Sequence, residues 1–249
     1  MRTILPFLTC LLFLIIPQIS IKAENEDVSL INSYEEDLTG DGFHEQFTLN
    51  GILLSDESKF YRDIWLDISS PFSKQWKISL ESGYNPELKL IDLNHDNTFD
   101  LFYKVAKNEE STHSVYQLYT VKNGVIKQLP IPKHNHIQAR LLDDFKVEIT
   151  LNPNMKPIIK DISSDDMIKY IDQNLYEEDG KLIEDKRIKI TPITLLEPVL
   201  ISESKGYGLK SNQHIKGLDE NGILGEIETL WYYQKDNWII LKSEWKDND

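Results

Sequence analysis

Cysteine is all but missing from this sequence. The single one, Cys10, lies in an apolar stretch near the start and follows Phe7, Leu8 and Thr9, where lipid attachment would need a small residue after a longer apolar run. With no second cysteine there is neither a disulfide framework nor a thiolate cage for zinc. Stability must come from a core, alone or with an oxygen-ligated metal. Alanine is nearly as rare, at positions 23, 106 and 139, whereas Ile, Leu, Val, Tyr, Phe and Trp are plentiful. That bias disfavours a helical bundle and favours sheet. Positive charge is also scarce: 27 Lys and Arg face 41 Asp and Glu, a net charge of −14. Nucleic-acid backbones and anionic lipid surfaces are repelled by such a chain, which excludes them as partners. Gly-x-Ser-x-Gly, a phosphate-cradling glycine loop and a dinucleotide fingerprint are all absent, so the common signatures of hydrolases and nucleotide enzymes do not apply.

What is present begins with a leader-like segment. Met1, Arg2 and Thr3 form a short basic start, and residues 4–21 are apolar apart from Thr9, Gln18, Ser20 and two prolines, Pro6 and Pro17. Ala23 then precedes the acidic run Glu24-Asn25-Glu26-Asp27. This is the pattern of a secretory signal peptide, with cleavage expected after Ala23 and a secreted or extracytoplasmic location. The rival reading is an uncleaved anchor, because the apolar run is close to the spanning minimum of about 17 residues. Loss of segment 1–23 takes Arg2 and Lys22 with it, leaving 25 basic side chains against 41 acidic ones, or −16. No Pro/Gly/Ser-rich linker divides the remainder, so residues 24–249 are read as one domain.

Alternation dominates that domain: Ile64, Leu66, Ile68; Trp76, Ile78, Leu80; Tyr116, Leu118, Thr120; Phe145, Val147, Ile149, Leu151. Each series predicts a strand with one buried face. One helix is expected near residues 165–175, capped by Ser163 or Ser164, with Met167, Ile168, Ile171 and Leu175 at helical spacing. A repeat also shows. DLTGDGFHEQF aligns with DLNHDNTFDLF, pairing Asp37 with Asp92, Asp41 with Asp96 and Phe47 with Phe102 at a separation of 55. Tyr119, Tyr176 and Tyr233, each before a turn, recur at steps of 57. The expected fold is therefore mainly β, with antiparallel sheets built from modules of about 55 residues. Four such modules would fill the chain, and blade-sized units of this kind suit a propeller.

The repeated element is an acidic loop. Asp37, Thr39, Asp41 and Glu45 stand at positions one, three, five and nine of the first copy, and Asp92, Asn94, Asp96 and Asp100 at those of the second. Alternate positions of a tight loop point to one centre, and calcium takes six to eight oxygens from carboxylates, amides, hydroxyls and carbonyls. The sharp turn at position six falls on Gly42 and Asn97, both suited to left-handed backbone. An EF-hand is excluded, since its position-twelve Glu is replaced by Thr48 and Tyr103 and the flanks alternate as strands. The competing explanation is that these residues make Asx-turns and bind nothing.

Asp-x-Thr-Gly-Asp-Gly-x-x-Glu between strands resembles the calcium loops of VCBS and FG-GAP repeat proteins, the blades of integrin-type propellers. The order of leader, acidic loop, second loop after Tyr84-Asn85-Pro86, and Tyr-rich strand at residues 114–121 is similar to that of exported bacterial VCBS-repeat proteins. The resemblance implies that the eight loop residues named above are metal ligands, that calcium is the ion, and that a third loop should follow a Pro-Val pair. After Pro198-Val199 the ligand positions hold Leu200, Ser202, Ser204 and Gly208, so that site reads as lost.

Other motifs are incomplete. His44-Glu45 lacks the second histidine of a zinc-protease helix, which would fall at Thr48. His134 and His136 have no evident third ligand and read as a solvated loop. Trp231, Tyr232, Tyr233, Trp238 and Trp245 around the turn at residues 235–237 read as the core of a terminal hairpin more simply than as a platform for sugar or peptide. No catalytic residue is assigned. The expected function is non-catalytic: an exported binding or envelope module with two calcium-type clasps and an extracellular or envelope ligand. The alternative is a secreted hydrolase assembled from dispersed acids and histidines.

Overall fold

The computed structural model describes residues 27–246 apart from 73, 111–112, 123, 134–136, 154, 164–166, 186 and 218–221. Strands come in four runs. The first holds β1 (Val28–Glu36), β2 (Glu45–Leu53), β3 (Phe60–Ser69) and β4 (Gln75–Leu80), and the second β5 (Gly83–Ile91), β6 (Asp100–Ala106), β7 (Ser114–Lys122) and β8 (Val125–Leu129). The third holds β9 (Gln138–Leu142), β10 (Lys146–Thr150), β11 (Ile158–Asp161) and the helix α1 (Met167–Asp172). The fourth holds β12 (Leu195–Ser202), β13 (Gly206–Lys216), β14 (Ile223–Gln234) and β15 (Asn237–Lys246). Their first strands begin at residues 28, 83, 138 and 195, steps of 55, 55 and 57. The module length read from the acidic loops thus holds along the chain.

Pairing between the named strands is antiparallel throughout. The first two modules merge into an eight-stranded sheet through the short contact of Phe60 and Tyr61 with Tyr84 and Gly83. The third forms a three-stranded sheet and the fourth a four-stranded meander, and no pairing among the described residues closes a barrel. The alternating residues face inward as their period requires. Ile64, Leu66 and Ile68 are buried on β3, Leu118 and Thr120 on β7, and Val147 and Ile149 on β10. Tyr119 and Tyr233 lie on the third strands of their modules, β7 and β14, but Tyr119 pairs with Gln128, well before the Lys122–Val125 pair that closes its hairpin, whereas Tyr233 pairs with Trp238 next to the closing Gln234–Asn237 pair, so their spacing does not mark equivalent positions. Tyr176 lies outside the strands and bridges Leu182 across a turn.

The helix lies inside the expected span but is shorter and turned differently. Tyr170 and Leu175 are its buried contacts, while Met167 and Ile168 are exposed. Asn174 takes φ 55 and the chain closes with Leu175 N–H donating to the Tyr170 carbonyl, which stops the helix after six residues. Too few turns remain for a continuous apolar stripe. Asp165 and Asp166, with the candidate cap Ser164, lie outside the described residues.

Among the described residues, three buried clusters hold the modules together. Phe47, Leu49, Leu66, Leu101, Tyr103 and Val105 join the first module to the second. Phe102, Leu118, Leu209, Trp231 and Trp238 join the second to the fourth, and Val147, Ile149, Tyr176, Ile215 and Ile227 join the third to the fourth. Strand β6 is buried on both faces, since Leu101, Tyr103 and Val105 serve one cluster and Phe102 another. A Cβ at Gly208 on β13 would stand 2.2 Å from the Trp231 carbonyl oxygen on β14, so only glycine permits this approach.

Trp231 anchors the contact between the second and fourth modules and donates its indole N–H to Ser211 Oγ at 2.8 Å. Trp231→Ala is expected to cost about 3–5 kcal/mol in urea unfolding. Trp231→Phe keeps most of the packing but leaves the buried Ser211 hydroxyl without its donor, a loss of about 1–3 kcal/mol.

Candidate functional site

The two acidic loops join β1 to β2 and β5 to β6, and so sit at the same place in their modules. Their hydrogen bonds repeat almost atom for atom. Asp37 Oδ1 accepts the N–H groups of Gly40 and Asp41 at 2.7 and 3.2 Å, and its Oδ2 accepts that of Gly42 at 2.8 Å. Asp92 does the same for His95, Asp96 and Asn97 at 2.7, 3.2 and 3.0 Å. At position nine, Glu45 Oε2 accepts from the N–H groups of Leu38 and Thr39, and its Oε1 from the Thr39 hydroxyl. Asp100 Oδ2 accepts from the N–H groups of Leu93 and Asn94, and its Oδ1 from Asn94 Nδ2. Position five caps the residue two further on: Asp41 takes the N–H of Phe43, and Asp96 takes the N–H and hydroxyl of Thr98.

Left-handed backbone at positions four and six lets successive amides converge on the first carboxylate. Gly40 and Gly42 have φ 73 and 88; His95 and Asn97 hold φ 63 and 64 at the same places. The second copy thus bears strain that glycine avoids in the first. Glu45 and Asp100 are fully buried. Burial pushes the Asp100 carboxyl up to about 6, against the hydrogen bonds from Leu93, Thr120 and Asn94 that favour its charged form.

The loops touch one another. A Cβ on Gly40 would stand 2.8 Å from Thr98 Cγ2, and one on Gly206 would stand 3.4 Å from His95 Nδ1. The β12–β13 turn, which follows Pro198-Val199, therefore lies beside the second loop. There Ser202 Oγ accepts the N–H of Lys205 and stands 3.3 Å from Ser204 Oγ. His95 stacks on Tyr232 of β14 with ring centroids 4.4 Å apart, and burial lowers its pKa.

The two copies differ in charge neutralisation. Lys122 at the end of β7 places its ammonium 2.9 Å from Asp96 Oδ2. Burial opposes ionisation of Asp96, but the Thr98 and Lys122 contacts outweigh it and hold the carboxyl below its usual range. Asp41 makes no ion pair among the described residues. No sequence spacing marks Lys122 as a partner, because it arrives from a different hairpin. The oxygen-only donor set suits a hard cation. Among the described residues, however, no three Asp, Glu, His or Cys side chains converge closely enough to hold a metal ion as the loops stand. Asp37, Glu45, Asp92 and Asp100 turn instead onto their own loop backbone.

His134 and His136 lie outside the described residues. Trp231, Tyr233 and Trp238 are core, and Tyr232 faces the second loop. One pocket of about 500 Å³ is lined by Gln138, Arg140, Glu148, Thr150, Asp185 and Arg187 with Ile137, Ala139, Ile188 and Ile190, and neither acidic loop reaches it. The first loop borders a smaller one of about 360 Å³ with Phe72, Lys74 and Trp76. No described helix is long and apolar enough to cross a membrane.

The Asp100 shift has a measurable sign. A carboxyl whose folded pKa stands above its unfolded 3.8 holds its proton more tightly in the folded state, so stability falls as pH rises from about 4 to 6. The full difference is roughly 3 kcal/mol at about 1.4 kcal/mol per unit. Urea unfolding in chelator is expected to show that loss in wild type and a flatter profile in Asp100→Asn.

Residues 135–246, the stretch from just before β9 through β15, match the family described as the YybI C-terminal domain. Comparison with curated proteins and with solved structures returns no match. The matched stretch contains the third and fourth modules and neither acidic loop, so the chain pairs a segment similar to the YybI C-terminal domain with an amino-terminal sheet that carries both loops.

Proposed function

We propose that this protein is an exported, non-catalytic binding or envelope-associated module of the VCBS/FG-GAP type, whose acidic loops are structural clasps. The observation that carries the proposal is the duplicated loop, Asp37 to Glu45 and Asp92 to Asp100, in which the first and ninth carboxylates gather five backbone N–H groups per copy. Carboxylates committed to their own backbone are positioned to hold a turn, not to move protons to a substrate. Export rests on the leader-like segment from Met1 to Ala23, and the partner is an extracellular or envelope ligand.

Calcium is the ion the donor types favour, and the two loops are not equivalent toward it. At the first loop, Asp37, Thr39, Asp41 and Glu45 would be the donors. At the second loop, Asp92, Asn94, Asp96 and Asp100 are the corresponding donors, and the Lys122 ammonium already neutralises Asp96. The first loop is therefore the stronger calcium site.

With the dissociation constants usual for extracellular modules, about 10⁻⁴ to 10⁻³ M, calcium near 1 mM adds roughly 0.4–1.4 kcal/mol per occupied site. That is a rise of about 1–6 °C in melting temperature for a chain of this size. Asp41→Ala is expected to abolish most of the rise, Asp96→Ala little of it, and Lys122→Met to increase it by freeing the second loop. Identical melting in chelator and in millimolar calcium, with no calorimetric heat of binding, would refute the calcium clasp.

A further inference from the structure

We infer that the pocket between β9 and the extended segment at residues 187–190 binds the carboxylate group of a small polar ligand, with Arg187 as its principal anchor. The inference depends neither on calcium nor on export. Arginine is scarce here: after Arg2 the chain has only Arg62, Arg140 and Arg187, and the last two face each other across an isolated antiparallel bridge. Directly opposed side chains have Cβ atoms about 5 Å apart, and like charges in that position are destabilising. One half of the pair is compensated. Arg140 Nε donates to Glu148 Oε1 at 2.7 Å, from the residue opposite it on β10, and Asp185 adds attraction. Among the described residues, Arg187 has no ion pair and no side-chain hydrogen bond.

The surroundings restrict what completes the row. Gln138 and Thr150, directly opposed at the end of the β9–β10 pairing, supply amide and hydroxyl groups on the same face of the sheet. Buried Ile137, Ala139 and Ile188 back the pocket, and Ile190 edges it. The backbone between the segments is partly engaged, with Ile188 N–H donating to the Ala139 carbonyl, while Thr191 N–H and the Lys189 carbonyl bond to the β13 edge. The pocket is thus held at a junction of two sheets, where concave sites form readily. The Arg187 fork matches the planar two-oxygen edge of a carboxylate. Glu148 and Asp185 oppose a second negative charge, which favours a monoanion over phosphate. The chemistry is the same for a free hydroxy acid and for the carboxyl end of a peptide.

Calorimetric or NMR titrations in chelator with L-lactate, N-acetylglycylglycine and N-acetylglycylglycinamide separate these sources. At least one of the two acids is expected to bind and the amide to bind much more weakly. The tighter acid identifies the source, free hydroxy acid or chain terminus. Arg187→Gln removes no side-chain contact that holds the fold together, and it is expected to weaken the acid about tenfold or more. Arg62→Gln should leave binding unchanged. Amide binding equal to acid binding, affinity unaffected by Arg187→Gln, or no binding of any probe would overturn the assignment.

Discussion

An antiparallel meander with an apolar face must cover that face with another element, and most of this structure follows from that constraint. The first module meets it by joining the second edge to edge and sharing a cluster around Leu66, Leu101 and Tyr103. The second then turns its other face, through Phe102 and Leu118, to the Trp231 side of the fourth. The fourth meander covers the third at its opposite end through Ile215 and Ile227. Between those ends β13 and β14 bury the polar side chains Ser211, Gln213 and Thr229. They are engaged locally, Ser211 by Trp231 Nε1, Thr229 by Ser243, and Gln213 Nε2 by the Thr191 carbonyl.

The acidic loops meet a related constraint at the strand ends. A loop between two strands leaves backbone amides without ladder partners, and those at Leu38, Thr39 and Leu93 are buried and need acceptors. Here carboxylates supply them, which accounts for the surplus of acids in two short segments. The arrangement concentrates negative charge on a chain that already carries −14. Lys122 relieves this at the second loop. At the first loop no described side chain makes an ion pair with Asp41.

Much of this was legible in the residues. Period-two alternation marked strands such as β3 and β10 because each has one face turned to a core; β7 alternates too, although Val121 carries its second face into another cluster. The spacing of Asp37 and Asp92 matched the module length, since both loops close the first hairpin of their modules. The orientation of α1 was not legible: Met167 and Ile168 have the spacing of a buried stripe, but a six-residue helix turns only Tyr170 inward before Asn174 ends it. The tyrosine spacing misled: Tyr119 and Tyr233 stand at different distances from their hairpin turns, and Tyr176 falls where the third module replaces a strand with helix and turn. His95 opposite Tyr232, Lys122 on Asp96 and Arg140 opposite Arg187 were invisible as well, being contacts between hairpins with no local period.

Local chemistry was enough to define the β-rich class, the repeating module, and the place and donor types of both acidic loops. Periodicity, turn residues and charge all act within a hairpin, so they are written into a few neighbouring residues. Which meander faces which was settled only by packing, as was the turning of the carboxylates onto their own loop amides. Packing also gave the second loop an internal ammonium, with none on the first among the described residues, and it brought two of the scarce arginines together over a pocket. The stacking of apolar faces brings together strands far apart in the chain, and it leaves no period in the sequence to be read in advance.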